Sequence, residues 1–169
     1  KILVQVQKDS NDKKGARTST HIKIPGKYVI LMPNTNIITT SQKIQDEREK
    51  ERLISIAKKK LPKNTGIIIR TAGAKRKESE IIKDIELLTK KWEQIKKEFE
   101  ECGKKPQQLY KSPSIVEKLI LDMPENSIQT IKVNDKKEYK KIEKIIKEQQ
   151  EKNIKIELYE NIDLLEKYD

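Results

Sequence analysis

One apolar stripe constrains the fold of this chain more than any other feature. Residues 79–101 place large apolar side chains at spacings of four and three, which is the repeat of one face of an α-helix. The side chains of that face are Ile81, Ile85, Leu88, Trp92, Ile95 and Phe99. A Trp and a Phe within such a stripe are typical of a helix packed on a core, not of a base-stacking platform. The chain therefore needs a second layer that covers this face.

Alternating apolar segments before the helix predict that the second layer is a β-sheet. The segments that predict strands are 1–9, 17–24, 27–33 and 66–70, with 36–41 as a short partner for the strand at 27–33. Residues 44–60 predict a first helix. Acidic residues stand near its start and lysines at its end, which is the arrangement that the helix dipole favours. The front half is therefore predicted to be α+β, with a mixed sheet and one long helix.

The back half of the chain changes character after residues 104–112, "KKPQQLYKS". Ser114 lies three residues before Glu117, the spacing of a capping box that opens a helix. A strand at 127–133, a helix at 136–152 and a strand at 154–159 then predict a β-α-β unit with parallel strands. The predicted fold class of the whole chain is α/β.

The charge of the chain points to a polyanionic partner. The 169 residues carry a formal net charge of +11, with 34% hydrophobic and 38% charged residues. Residues 1–43 hold eight Lys or Arg against two Asp, whereas residues 104–169 hold fourteen against thirteen acids. An excess concentrated at the front favours nucleic acid. The alternative is a solvated surface, since many lysines stand beside glutamates in helical runs.

Few residues are available for catalysis. The sequence has one histidine, His21, and one cysteine, Cys102, which excludes a His-based catalytic pair, a zinc site and an internal disulfide. Asp122 and Asp163 stand outside the clearest helical runs, and each is expected to cap or end an element rather than to bind Mg²⁺. No Walker loop or G-x-G-x-x-G motif occurs. We therefore assign no catalytic and no metal-binding residue.

The sequence contains no transmembrane run and no signal peptide, which with the lone cysteine favours the cytoplasm. It begins without a methionine and stops at "LLEKYD". Both features predict a piece of a longer protein.

Two stretches are candidates for anion binding, and the alternative for a strand that ends in an arginine is a salt bridge or a surface charge. "GIIIRTAG", residues 66–73, ends a buried strand on Arg70 and Thr71. A guanidinium binds phosphate oxygens bidentately, and a hydroxyl adds a third donor. The stretch "DKKGARTST" contains a glycine that is flanked by cations. A glycine lets backbone amides approach a phosphate closely. Those cations are Lys13, Lys14 and Arg17.

Three stretches in order resemble the ribonuclease E/G family of bacterial endoribonucleases. They are "KGARTSTHIKIPGKYVILMPNTN" at 14–36, "GIIIRTAG" at 66–73 and "LLTKKWEQIKK" at 87–97. The family pattern runs K-G-A-x-L-T-T-x-I-x-L-x-G-x-Y-x-V-L-M-P, then V-R-T-A, then a long helix with L-x-x-x-W-x-x-I. The specific part of the resemblance covers 13–97, and a weaker likeness continues to the C-terminus.

The resemblance implies three domains in this chain. Residues 1–20 would be the closing strands of an S1 (OB-type) domain, 21–112 a 5′-sensor domain, and 113–169 part of a ribonuclease H-like domain. In the family the sensor prefers RNA that carries a 5′ monophosphate, and a triphosphate should be too bulky for a closed pocket. The chain would thus sense and bind single-stranded RNA.

The family's functional positions fall on particular residues here. Its phosphate-contacting arginine and threonine fall on Arg70 and Thr71, and its phosphate-contacting glycine on Gly26. The apolar residue that packs on the terminal base falls on Ile30, and the S1-region RNA contact on Lys14. The family's Ser-Arg-Arg is replaced by Ser-Gln-Lys at 41–43, which removes the arginines there.

The resemblance places the metal-binding aspartates and the zinc-link cysteines of the family beyond Asp169. The parent protein would hydrolyse RNA with Mg²⁺ in mRNA decay and rRNA processing, and this piece would not cut RNA alone. Its partners would be RNA with a 5′ monophosphate and the remaining domains of the parent.

Two other function classes stay open. A non-catalytic RNA-binding or ribosome-associated module would bind by general basic attraction, with strong salt dependence and no preference for end chemistry. A structural part of a larger protein would use its basic face to contact another domain of the same protein and would bind no RNA at moderate salt.

Overall fold

A computed structural model describes residues 1–123, 127–149 and 154–159 of this chain. It has an α/β fold with helices and mixed sheets, as predicted. The chain divides into two compact units, Lys1–Ser112 and Pro113–Asp169. The division falls where the sequence changes character, while the identities of the three predicted domains stay predictions.

The first unit begins with a small antiparallel hairpin. Strand β1 (Gln5–Lys8) pairs with β2 (Arg17–Ser19), and a bulge interrupts the register before Lys8. Alternate apolar side chains of this segment are exposed: Ile2, Val4 and Val6. The predicted strand at 17–24 is shorter than expected, because the chain bends after Ser19 and pairs again only at Ile24.

A four-stranded mixed sheet forms the centre of this unit. Its strands are β3 (Ile24–Pro25), β4 (Val29–Pro33), β5 (Ile38–Thr40) and β6 (Thr65–Ile69), in the order β3-β4-β6-β5. The prediction that 36–41 pairs with the strand at 27–33 is wrong, because β6 lies between them, antiparallel to β4 and parallel to β5. A parallel pair requires a crossover, and a helix between β5 and β6 provides it.

Two helices cover one face of this sheet. Helix α1 (Glu47–Lys60) packs on β5, and α2 (Glu78–Glu101) packs on β3 and β4 and against α1. The apolar stripe of α2 faces the sheet as predicted, and Ile81 and Ile85 are fully buried. Asp46 caps α1 by accepting from two backbone amides, so the helix begins at 47 rather than 44.

The second unit contains the predicted β-α-β arrangement. Helix α3 (Ile115–Asp122) is followed by β7 (Thr130–Val133), α4 (Lys136–Gln149) and β8 (Lys155–Leu158), and β7 and β8 are parallel. The predicted capping box of Ser114 and Glu117 is confirmed, and Asp122 ends α3. The last residues predicted for α4, 150–152, and Asp163 lie outside the described residues.

Candidate functional site

Three chain segments meet at one edge of the four-stranded sheet. The Ser41 amide donates to the Ile69 carbonyl at 2.7 Å, and the Arg70 amide donates to the Tyr28 carbonyl at 2.8 Å. The carboxyl ends of β5 and β6 therefore lie beside the bend 25–28 that leads into β4. The edge beyond the carboxyl ends of parallel strands is the common ligand-binding position of α/β sheets.

Arg70 is anchored to the bend. Its Nη1 donates to the Gly26 carbonyl at 2.8 Å and to the Lys27 carbonyl at 3.4 Å, and its side chain is half-buried. The contacts fix the position of the guanidinium plane at the sheet edge. Arg70 and Gly26, both predicted from the sequence, are thus brought together.

A buried carboxylate lies beneath the same bend. Asp84 of α2 is 7% exposed and accepts hydrogen bonds from the amides of Tyr28 at 2.7 Å, Val29 at 3.0 Å and Lys27 at 3.4 Å. Burial raises the pKa of Asp84, and the three amides and the Arg70 charge offset part of that rise. Asp84 therefore holds the bend in the shape that positions Arg70.

Gly26 is required by the close approach of Asp84. A Cβ at this position would stand 2.7 Å from each carboxylate oxygen of Asp84, so a side chain here would force the buried carboxylate to move. The Gly26 amide donates to the Val29 carbonyl at 2.8 Å. The structural contribution of Gly26 is therefore its carbonyl, which holds Arg70, and its missing side chain. Direct contact between Gly26 and a phosphate stays a prediction.

Thr71 and Ser41 form a pair of hydroxyls across the ends of β5 and β6. The Thr71 Oγ1 donates to the Ser41 Oγ at 3.0 Å, and the Lys43 amide lies 3.4 Å from the same Ser41 oxygen. Thr71 is exposed and Ser41 is half-buried. Two hydroxyls thus lie next to the residue that carries the guanidinium.

Ile30 lies on the sheet face that the two helices leave open. Its direct partners on the neighbouring strands are Pro25 of β3 and Ile68 of β6, and all three side chains are half-buried. Ile68 precedes Arg70 by two residues in extended chain, so both side chains leave the strand on the same face. An apolar surface therefore adjoins the guanidinium on one side of the sheet.

The loop after Thr71 is held against α1 by an ion pair of that helix, Glu49 and Arg52, which we call the clamp. Arg52 donates through Nε and Nη2 to the two oxygens of Glu49, each at 2.8 Å, and Nη2 also donates to the Arg76 carbonyl. Glu49 accepts from the Lys75 amide at 2.7 Å, and Lys75 has a left-handed φ of 60°. The hydrogen bond from Arg52 is the main cause that lowers the pKa of Glu49 to about 2.

Comparison with known proteins identifies the family of this chain. Residues 23–169 match the profile of the Ribonuclease E/G family. The chain is 32% identical over 146 residues to Ribonuclease E of Nostoc sp., an alignment that covers 86% of this chain and 21% of that protein. It is 32% identical over 141 residues to Ribonuclease G of Escherichia coli, covering 82% of this chain and 28% of that protein.

This chain belongs to the ribonuclease E/G family. The matched residues include the whole sheet edge built from Gly26, Ile30, Ser41, Arg70 and Thr71. The chain spans about a fifth to a quarter of the length of these two ribonuclease relatives.

The other predicted RNA contacts lie on the β1–β2 hairpin, which is a separate sheet and precedes the part matched by the ribonuclease E/G profile. Lys13, Lys14 and Arg17 are all exposed there. The amides of Lys13 and Lys14 donate to the Asn11 Oδ1 at 3.2 and 2.8 Å, so any phosphate contact at these two residues uses their side chains.

Other chemistry is sparse in the part of the chain that the structure describes. His21 is exposed and lies between β2 and β3 rather than within a strand. In residues 1–123, 127–149 and 154–159, no group of three or more His, Cys, Asp and Glu could hold a metal ion. No helix in these ranges is long and apolar enough to cross a membrane.

Sequence reasoning missed three residues of the site: Ser41, Ile68 and Asp84. The sequence does indicate that Asp84 is buried, because it lies within the apolar stripe, three residues after Ile81 and directly before Ile85. The contributions of Ser41 and Ile68 depend on which strands are neighbours, and the sequence places β5 beside the wrong strand.

Proposed function

We propose that this chain is the RNA-binding, 5′-monophosphate-sensing part of a ribonuclease E/G-type endoribonuclease. The observation that carries the proposal is the convergence of Arg70, Thr71 and Ser41 at one sheet edge, with Arg70 fixed by the Gly26 carbonyl at 2.8 Å. A fixed guanidinium beside hydroxyls is the donor set that suits a terminal phosphate.

The chemistry of RNA ends explains the preference. A terminal monophosphate has three unesterified oxygens and up to two negative charges, whereas a 5′ hydroxyl has neither. Each hydrogen bond to a charged group contributes about 1.5–3 kcal/mol. Two or three such bonds from Arg70 and Thr71 would therefore separate the two kinds of RNA end by orders of magnitude in affinity.

The first base would lie on the open face beside the phosphate. Ile30 and its cross-strand partner Ile68 offer aliphatic surface there, and Ile68 leaves β6 on the same face as Arg70. Aliphatic side chains pack against the face of any base and read no hydrogen-bonding edge. The subsite would therefore require an unpaired first nucleotide but accept any of the four bases.

The rest of the proposal concerns the longer parent protein. Residues 1–20 would belong to an S1 domain that contributes Lys14 to RNA binding, 21–112 to the 5′-sensor domain, and 113–169 to a ribonuclease H-like domain. The parent would cleave single-stranded RNA in the cytoplasm, during mRNA decay and rRNA processing. Its Mg²⁺, and a structural Zn²⁺ where the parent has one, would be held by residues outside this chain.

The test compares two short single-stranded RNAs that differ only in a 5′ phosphate or a 5′ hydroxyl. Fluorescence anisotropy with a 3′ label gives the dissociation constant of each, in buffer with EDTA to prevent cleavage. The intact chain should bind the phosphorylated RNA at least about tenfold more tightly, since one charge-assisted hydrogen bond supplies that factor. Arg70→Ala should reduce the ratio to near one.

Arg17→Ala is the matched control, because Arg17 is exposed on the separate hairpin. It should weaken both RNAs by the same factor and leave their ratio unchanged. Equal binding of the two RNAs by the intact chain would overturn the sensor proposal.

The second candidate is a non-catalytic RNA-binding or ribosome-associated module. The observation that favours it is the exposure of Lys13, Lys14 and Arg17 on one small hairpin, which provides attraction without recognition of an end. Binding that is tight, falls steeply with salt and ignores the 5′ group would support this candidate.

A further inference from the structure

We propose that Ser41 is a third side chain of the 5′-phosphate site and sets its specificity for a phosphorylated end. The proposal rests on the proposed function and deepens it. Ser41 would hold the Thr71 hydroxyl in place in the free protein and donate its own hydroxyl proton to the bound phosphate.

The fold places Ser41 beside Arg70. Ser41 follows β5 directly, and β5 pairs in parallel with β6 up to the partners Thr40 and Ile69. The next residues on the two strands are Ser41 and Arg70. The hydrogen bond of 2.7 Å from the Ser41 amide to the Ile69 carbonyl continues the pairing to this point. Ser41 is therefore located by the sheet itself rather than by a loose loop.

The backbone after Ser41 is also fixed. The Ile44 amide donates to the Ser41 carbonyl at 3.0 Å, and Ile44 is 5% exposed within the core of this unit. Hydrogen bonds on both sides of Ser41 and a buried anchor three residues later hold its Cα. A donor that is held in advance loses little conformational entropy when a ligand arrives.

The hydroxyl pair gives Ser41 a chemical role. A hydroxyl has one proton to donate and two lone pairs to accept with. The Ser41 Oγ accepts from Thr71 Oγ1 at 3.0 Å and from the Lys43 amide at 3.4 Å, and in this arrangement the one proton of Ser41 can be donated to another acceptor. A phosphate held by Arg70 provides that acceptor, and its oxygens are stronger acceptors than a hydroxyl because they carry charge.

The donors of the site are sufficient for the three unesterified oxygens of a terminal phosphate, each of which can accept more than one hydrogen bond. The planar guanidinium of Arg70 can bind two phosphate oxygens side by side. When the phosphate binds, the Thr71 hydroxyl would turn its single proton from Ser41 to one phosphate oxygen, and Ser41 would donate to another. A 5′ hydroxyl offers a single uncharged oxygen to the same donors. Loss of the Ser41 proton should therefore weaken binding of the phosphorylated RNA and leave the hydroxyl RNA almost unaffected.

The experiment measures the affinities of the intact chain for the paired 5′-phosphate and 5′-hydroxyl RNAs with four variants. Ser41→Ala removes the hydroxyl, and Ser41→Cys keeps the size with a weak donor. Ser41→Thr keeps the hydroxyl in a residue suited to a strand end. Ser55→Ala removes an exposed serine from the middle of α1 and serves as the matched control.

Ser41→Ala and Ser41→Cys should each reduce the phosphate-to-hydroxyl affinity ratio by about tenfold, the value of one charge-assisted hydrogen bond. Ser41→Thr and Ser55→Ala should keep the ratio of the unchanged chain. Thermal unfolding of each variant shows whether it is folded. If Ser41→Ala does not fold, Ser41→Cys tests the proposal.

Three results would overturn the inference: an unchanged ratio in Ser41→Cys, a raised ratio, or an equal loss for both RNAs. The last would mean that Ser41 supports the sheet edge without contacting the phosphate. These outcomes are distinct from failure of the proposed function, in which the unchanged chain itself has a ratio near one and the inference fails with it.

Discussion

At the scale of single residues, Asp84 limits which groups of the proposed site could bind an anion. The bend 25–28 and the first residue of β4 turn three backbone amides inward, and Asp84 accepts from all three. The bend is therefore already occupied by the protein's own carboxylate on its inner side. In the proposed function, an external phosphate would therefore be bound mainly by side chains at the outer edge, among them those of Arg70, Thr71 and Ser41.

The first residue-scale prediction concerns Asp84→Ala. This change leaves the buried amides of Tyr28 and Val29 without their acceptor, and an unsatisfied buried group costs about 1–3 kcal/mol. The free energy of unfolding should fall by about 3 kcal/mol, as measured by urea denaturation followed through the fluorescence of Trp92. The bend would also release Arg70, so the preference for 5′-phosphorylated RNA should fall.

Glu86→Ala is the matched control for this prediction, because Glu86 is exposed on the same helix and forms only a 3.6 Å surface ion pair with Lys60. Its effect on the free energy of unfolding should stay within about 0.5 kcal/mol. A similarly small effect of Asp84→Ala would contradict the assigned role of Asp84.

At the scale of elements, the loop between β6 and α2 depends on α1. Glu49 and Arg52 lie one turn apart on α1, and together they hold the Lys75 amide and the Arg76 carbonyl. A left-handed φ costs a residue with a side chain about 1 kcal/mol, so the clamp must offset the strain at Lys75. It thereby fixes the segment that follows Thr71.

The clamp predicts a pH dependence of stability. The pKa of Glu49 is lowered from 4.5 to about 2 by its hydrogen bonds with Arg52. As pH falls from 4.5, the unfolded chain takes up a proton at Glu49 before the folded chain does, so the contribution of Glu49 is full above pH 4.5 and is lost by about pH 2. Glu49→Gln should therefore cost about 1 kcal/mol at pH 7.

The measurement is urea denaturation of the unchanged chain and Glu49→Gln from pH 7 to pH 2. The difference between their free energies of unfolding should shrink steadily below pH 4.5. Glu47→Gln, an exposed glutamate paired with Lys50 on the first turn of α1, is the control and should give a small difference. If the difference in free energy of unfolding between the unchanged chain and Glu49→Gln did not depend on pH, the ionised Glu49 would not stabilise the loop as proposed.

The sequence predicted elements better than it predicted their neighbours. The stripe from Ile81 to Ile95 identified α2 because helical periodicity is a local property. The partner of the segment 36–41 was assigned wrongly, because strand pairing depends on a crossover that no local pattern records. Ser41 was therefore not recognised as a neighbour of Arg70. Asp84 is not singled out by the sequence prediction, although its position within the apolar stripe of α2 indicates that it is buried.

At the scale of the whole molecule, the proposed function assigns attraction to RNA and recognition of its end to different parts of the first unit. The excess positive charge lies in residues 1–43, and the cations of the β1–β2 hairpin are exposed. The groups of the proposed 5′-phosphate site lie at the edge of the four-stranded sheet. Long-range attraction is screened by salt, whereas short contacts in a half-buried site are screened much less. The two contributions should therefore separate when salt is varied.

Lys14→Ala tests this separation. The dissociation constants of the 5′-phosphate and 5′-hydroxyl RNAs are measured from 50 to 300 mM potassium chloride. Loss of one phosphate contact should reduce the slope of log affinity against log salt by about 0.7 for single-stranded RNA. The slope should change equally for both RNAs, and their affinity ratio at each salt concentration should stay as in the unchanged chain. Lys118→Ala, on an exposed position of α3, should change neither quantity. A lower affinity ratio in Lys14→Ala would place Lys14 in the end-binding site, and an unchanged slope would remove it from the RNA-binding surface.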